Sequence, residues 1–136
     1  MSAGDTARGY LAAFATGEPD SIAAFVADGF ENEHLSELGS GCVGRAEYLT
    51  RLPEFLATFA DRSYTIEDIV EDRTERGDET RSDTAVVVRY RFAATFEGTR
   101  IDIPGVMWFI VRDDLIVRRT DLWDSLTFLR QTDQPA

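Results

Sequence analysis

The sequence predicts an α+β fold in which helices come first and long antiparallel hairpins follow. Three observations carry that reading. Before residue 60, apolar side chains recur every three or four positions, the period of a helix with one buried face. After residue 62 the period shortens to two, most clearly where Val86, Val88, Tyr90 and Phe92 alternate with Val87, Arg89 and Arg91. Short reversals at Glu97-Gly98 and Arg112-Asp113-Asp114 separate the later strands, leaving no room for the crossover helices that a parallel doubly wound sheet requires.

Each element follows in order. Asp5 is expected to cap a helix that carries Tyr10, Leu11 and Phe14 and is stopped by Gly17. Asp20 is expected to cap a second, short helix with Ile22, Phe25 and Val26, ending near Gly29. Phe30 to Leu35 reads as a strand with Phe30, Asn32 and His34 on one face and Glu31 and Glu33 on the other. The glycine-containing loop Ser36 to Gly44 leads into a third helix with an apolar stripe of Leu49, Leu52, Leu56 and Phe59, which Pro53 should kink or restart. Ser63 to Glu71 predicts a strand bulged at Ile69 and Val70, and the charge-dense stretch Glu71 to Asp83 predicts a solvated hairpin loop. Strands over Thr84 to Phe96, Arg100 to Val111 and Leu115 to Asp124 complete the sheet, and a helical turn through Phe128 and Leu129 follows. No repeat or linker divides the chain, so residues 1–136 read as one domain, long enough to remove about two-thirds of its unfolded surface from water.

Composition removes whole classes of chemistry. All 14 basic residues are Arg, which excludes Schiff-base lysines and phosphate-loop lysines. One His and one Cys cannot assemble a His/Cys zinc site within the chain or an internal disulfide, so no metal or other cofactor is expected. A net charge of -11 repels phosphate backbones and argues against nucleic acid as partner. The longest apolar run, Val106 to Val111, is far shorter than the roughly 20 residues of a membrane span, and the N-terminus lacks the basic-then-apolar order of a signal peptide. A cytoplasmic protein that makes no membrane contact is the expectation.

With His34 the only imidazole, the question becomes which carboxylate it meets. On the last predicted strand Val117, Arg119, Asp121 and Trp123 share a face, and Val106, Trp108 and Ile110 on the preceding strand are expected to look into the same concavity. A pocket walled by Trp108, Trp123, Tyr90 and Phe30, with His34 and Asp121 as its polar points, has the make-up of a small-molecule site. An ionised Asp121 would raise the imidazole pKa and apolar walls would lower it, a balance that predicts a value near neutrality, where a general base works best.

The segments GYLAAFATGEPDSIAAFVADGFENEH, GCVGRAEYL and IPGVMWFIVRDDLIVRRTDLWDSLTFLRQ resemble the nuclear transport factor 2-like (cystatin-like) superfamily, and within it the SnoaL-like proteins. The resemblance covers nearly the whole chain. It implies a cone, in which a curved antiparallel sheet wraps three N-terminal helices around an apolar pocket. Ketosteroid isomerase, limonene-epoxide hydrolase and polyketide cyclases share this frame. By the resemblance, Tyr10 stands where the isomerase keeps an oxyanion-hole tyrosine, His34 where it keeps its carboxylate base, and Val106 where it keeps a protonated aspartic acid. Asp121 stands where the hydrolase and the cyclases keep a catalytic carboxylate; the hydrolase's second carboxylate and its arginine would fall near Tyr90 and Val88. The resemblance further implies a homodimer through the outer sheet face, here Val87, Arg89, Met107, Phe109, Val111 and Leu122.

Two functional readings remain open at this level. In the first, the pocket takes a small apolar organic compound and His34, Asp121 and Tyr10 perform cofactor-free isomerisation, cyclisation, dehydration or epoxide hydrolysis. In the second, the fold only binds a ligand or associates: His34 is tied to the following loop, Asp121 is held by Arg119, and Tyr10 packs in the core. An open pocket containing both His34 and Asp121 separates the first reading from the second.

Overall fold

A computed structural model describes residues 2–74 and 83–136. The elements run α1 (Ala3–Ala13), a 3-10 turn (Phe14–Thr16), α2 (Pro19–Ala23), β1 (Val26–His34), β2 (Cys42–Val43), α3 (Arg45–Thr58), β3 (Ala60–Thr74), β4 (Asp83–Phe96), β5 (Thr99–Arg112), β6 (Leu115–Trp123) and α4 (Ser125–Gln131). The strands form a curved, unclosed sheet in the order β2-β1-β6-β5-β4-β3. Neighbours are antiparallel except β1 and β6, which pair in parallel, so the sheet is mixed where the sequence predicted it wholly antiparallel. Its concave face packs on the helices: Tyr10, Leu11, Phe14, Ile22, Leu52 and Leu56 share one core with Val86, Val88, Phe92, Ile103, Met107 and Phe109.

Helix boundaries shift from the prediction for local reasons. Ser2, rather than Asp5, caps α1, and Asp5 sits at the third helical position of a reciprocal capping box. Glu18 precedes α2, Pro19 opens it with its fixed φ, and Asp20 lies in the first turn, where a carboxylate suits the helix dipole. That helix stops at Ala23 because the sheet claims the next residues: Ile116 donates its amide to the Phe25 carbonyl, and Val26 lies opposite Ile116. The chain passes through Pro53 without leaving α3. In β3 the extra residue falls at Glu67, between the Ile66 and Asp68 pairs, and not at Ile69 and Val70, which pair in register with Val88 and Val87. The strands also run further into the charged stretch than predicted, with Glu71 opposite Val86 and Thr74 opposite Asp83; the rest of that predicted loop, 75–82, lies outside the described residues.

Strand parity decides which side chains reach the concave face. The Glu97-Gly98 turn sets Phe96 opposite Thr99, and an unbroken register then sets Val88 opposite Met107 and Phe92 opposite Ile103. Met107 and Phe109 therefore point inward and are fully buried, while Val106 and Trp108 lie outside, 40% and 44% exposed. The prediction had these two pairs reversed. Of the six residues expected on the outer face, Val87, Arg89 and Leu122 are there, and Met107, Phe109 and Val111 are inside. A second irregularity matters more: Val111 pairs with Ile116 but Ile110 pairs with Arg118, so Val117 is an extra residue in β6. The slip of one position turns Arg119, Asp121 and Trp123 toward the helices in place of Arg118, Thr120 and Leu122.

Candidate functional site

A cavity of about 670 Å³ opens between the sheet, α3 and the loop after β1. Aromatic side chains make much of its wall: Phe14 from the 3-10 turn, Phe55 from α3, Phe59 directly after it, Phe92 from β4, and Trp123 and Phe128 from the end of the chain. Edge-on ring pairs such as Phe59–Phe128 and Trp123–Phe128 knit these residues together, so α4 belongs to the wall. The polar part of the lining is Asn32, His34, Arg119 and Asp121, together with Tyr48, Tyr64 and Tyr90.

The parallel pairing of β1 with β6 builds that polar end. It places Asn32 beside Arg119 and His34 beside Asp121 across one ladder. Arg119 then donates from Nη1 to Asn32 Oδ1 at 3.0 Å and from Nη2 to Asp121 Oδ2 at 3.1 Å, with its Nε against the Met107 sulfur. Tyr90 donates its hydroxyl to the other oxygen, Asp121 Oδ1, at 2.6 Å. His34 Nδ1 stops 3.8 Å from Asp121 Oδ2, too far for a hydrogen bond. That nitrogen is buried and has no hydrogen-bond partner among the described residues.

Two glycines make the arrangement possible. A Cβ at Gly105 would collide with the Tyr90 hydroxyl, so only a bare backbone lets that hydroxyl reach Asp121. A Cβ at Gly39 would stand 2.5 Å from the Cβ of His34 and 3.1 Å from its Nδ1. The loop is held over the imidazole at both ends. Ser36 exchanges hydrogen bonds with the backbone of Trp123, and Arg51 donates to the Gly41 carbonyl at 2.7 Å.

Burial sets the electrostatics. It pushes the His34 pKa down to about 4, with the Arg119 charge acting in the same direction, so the imidazole is neutral at pH 7. The value near neutrality predicted from the sequence is therefore corrected: burial first, and the Arg119 charge after it, lower the imidazole pKa. Burial raises the Asp121 carboxyl pKa, opposed by Arg119 and by the Tyr90 hydrogen bond. For Arg119, burial works against the charge and is outweighed by its neighbours, Asp121 among them, so the guanidinium stays protonated. Burial also raises Tyr64 and Tyr90, which therefore remain neutral donors. Among the described residues no three His, Cys, Asp or Glu side chains gather as metal ligands, and no helix is long and apolar enough to cross a membrane.

Of the residues singled out in the sequence, His34, Asp121, Asn32, Tyr90, Arg119 and Trp123 line the cavity. Four do not. Val106 and Trp108 are on the outer face for the parity reason above, so a valine at position 106 says nothing about which donors the cavity offers. Phe30 and Tyr10 are wholly buried in the core behind the wall. Tyr10 is one side chain removed: its hydroxyl meets that of Tyr48 at 2.5 Å, and the Arg119 guanidinium lies 5.8 Å from its ring centre. The sequence reading missed Tyr48 and Tyr64. Tyr48 stands one turn before Leu52 on the stripe already recognised, and Tyr64 lies opposite Phe92 in the β3–β4 hairpin.

Residues 7–119 match the SnoaL-like domain family, and the chain belongs to it. No match was found among curated proteins. Solved structures share the fold. A Catenulispora acidiphila protein of ketosteroid isomerase-like fold, solved in complex with trimethylamine, superposes with a TM-score of 0.77 at 16% identity, over 96% of this chain and 94% of that one. IdmH of Streptomyces antibioticus, described as a candidate polyketide cyclase, gives 0.75 at 23% identity over 98% and 99%. An LEH-like epoxide hydrolase of M. tuberculosis gives 0.67 at 17% identity over 95% and 87%.

Proposed function

We propose that this cavity binds a small, largely apolar organic molecule and performs cofactor-free proton-transfer chemistry on it, with Asp121 as the proton acceptor. The observation that carries the reading is a buried carboxylate, Asp121, held by Arg119 and Tyr90 in a cavity rich in aromatic side chains, with the His34 imidazole 3.8 Å away. Burial makes Asp121 a stronger base than an ordinary surface carboxylate, and its two partners fix its direction. His34, with its pKa pushed down to about 4, is neutral at pH 7 but a weak base, so its role is to supply a hydrogen bond to the reacting group, which revises the base role that the sequence suggested. Isomerisation, cyclisation, dehydration and epoxide opening are all compatible with one base and one neutral donor. The neighbours described as a cyclase and an epoxide hydrolase support this range of chemistry for the fold.

The test is a screen of small neutral organic compounds for turnover, followed by His34→Ala and Asp121→Asn proteins that still melt cooperatively. We expect Asp121→Asn to lower kcat by at least two orders of magnitude and His34→Ala by a smaller factor. Full activity in both variants would sink the proposal.

We also propose that a second copy covers the outer sheet face. Val70, Val87 and Trp108 form one exposed apolar row there, and Val106 and Leu122 lie in the next. Sedimentation should give twice the 15.2 kDa mass of one chain, and Trp108→Glu should return it to one; a monomer at every concentration would contradict the proposal.

A further inference from the structure

We infer that residues 37–41 form a lid on the cavity, closed in this structure and latched by Arg51, and that its opening admits the ligand and uncovers His34 Nδ1. The inference rests on the reading of the cavity as a ligand site and adds the moving part that gives access to it.

The chain is anchored firmly on either side of this span. Before it, Leu35 donates its amide to the Asp121 carbonyl at 2.8 Å, and the buried Ser36 exchanges hydrogen bonds of 2.6 and 2.8 Å with the Trp123 backbone. After it, Cys42 and Val43 pair with Asn32 and Glu31, and Gly44 donates to the Phe30 carbonyl at 2.7 Å. The span itself is held by much less. Among the described residues its hydrogen bonds are those of Gly39 to the Ser36 carbonyl at 2.9 Å, inside the turn, and of Arg51 Nη1 to the Gly41 carbonyl at 2.7 Å. Leu38, Gly39, Ser40 and Gly41 all line the cavity, as do Arg51, Leu52 and Phe55 of α3, so the Arg51 bond ties one side of the cavity to another. Leu38 is a large apolar side chain on that lining and is still 50% exposed.

Closure leaves one polar atom unmet. Gly39 packs against the imidazole, and His34 Nδ1 beneath it is buried without a hydrogen-bond partner among the described residues. A polar group buried in that way is destabilising, and water reaches it once the span lifts. That effect opposes closure, and the Arg51 bond favours it. The latch is itself wet: the Arg51 side chain is 46% exposed and also pairs with Glu47, 51% exposed, so releasing it uncovers no buried charge. A few weak ties set against an unmet polar atom is the condition for local opening. Arg119, Asp121 and Tyr90, in contrast, are buried and bonded to one another, so they keep their places while the span moves.

Because His34 is the only histidine, isotope-labelled histidine reports on this ring alone. Lids of this kind move on the microsecond-to-millisecond scale, which relaxation dispersion detects. We expect the His34 ring nitrogens and the amides of Leu38 to Gly41 to share one exchange process that the amides of Arg119 and Asp121 lack. Arg51→Met, which removes the latch and keeps the apolar stem, should raise the open population severalfold and speed amide hydrogen exchange across 37–41 by a similar factor. Stopped-flow binding of 2-naphthol, followed by tryptophan emission with Trp123 on the cavity wall, gives the ligand side. In Arg51→Met the association and dissociation rates should rise together, severalfold, with Kd nearly unchanged. A faster dissociation alone would mean that Arg51 touches the ligand directly and would overturn the latch. A span without shared exchange, and binding rates unaltered in Arg51→Met, would overturn the lid and leave the cavity reading standing. Shared exchange with no binding of 2-naphthol would overturn the cavity reading and, with it, the lid's part in admitting a ligand.

Discussion

Arg118 and Arg119 are adjacent in sequence, and each forms an ion pair, yet the two pairs have different physical consequences. Arg118 reaches Glu33 at 3.1 Å on the outer side of the sheet, where the two side chains are 47% and 42% exposed. Water screens that pair and solvates both partners when it opens, so it contributes little to stability. Arg119 reaches Asp121 at the same 3.1 Å, but both side chains are 5% exposed. There, neither charge can be left alone without a large desolvation penalty. Distance is equal in the two cases, and burial separates a solvated surface contact from an obligate pair that can hold a carboxylate ready inside a cavity.

The difference can be broken most severely by removing one buried partner. Asp121→Ala should lower unfolding stability by about 3–5 kcal/mol in urea titrations, because the Arg119 charge is left uncompensated. The double variant Arg119→Met, Asp121→Leu should be less destabilised than Asp121→Ala; a loss larger than that of the single variant would show that the pair is not the unit assumed here.

Burial also makes stability depend on pH. His34 titrates at about 4 when folded against 6.5 unfolded, so between these values the unfolded chain binds the extra proton. Its contribution is fully present above about 6.5 and is lost as pH falls toward 4, by up to about 3 kcal/mol. Asp121, whose folded pKa is raised, acts in the opposite sense. Subtracting the profile of His34→Gln isolates the histidine component, and an unchanged acid limb in that variant would contradict its burial as a neutral group. The smallest effect belongs to the surface. Glu33 accepts from Arg118 and Thr120, which hold its carboxyl below the usual range, but it is exposed, and Glu33→Ala should leave the urea midpoint unchanged.

Much of this frame is legible in the chain. The change of period from helix to strand, the alternation through Val86 to Phe92 and the Glu97-Gly98 turn give the α+β order, and counting from that turn also gives the inward parity of Met107 and Phe109. Within Val106 to Val111 every residue is apolar, so alternation there carries no information about which side chains face inward. The boundary errors at Asp5 and Gly29 have a different origin, since both a cap and a helix end depend on which competing hydrogen bonds the neighbouring residues find.

Composition alone sets the available chemistry: one imidazole, no Lys, a surplus of carboxylates and aromatic residues enough to wall a pocket. The strand period also assigned Arg119, Asp121 and Trp123 to one face of the last strand. Tertiary structure alone decided that this face looks inward. One extra residue at Val117 sets it, and the parallel docking of β1 on β6 brings His34 beside Asp121 from 87 positions away. Neither event leaves a local signature, because a bulge and a non-local strand pairing are each selected by the packing of the whole sheet against its helices. The neutral state of His34 follows from the same packing, since burial and the Arg119 charge act through space and not along the chain.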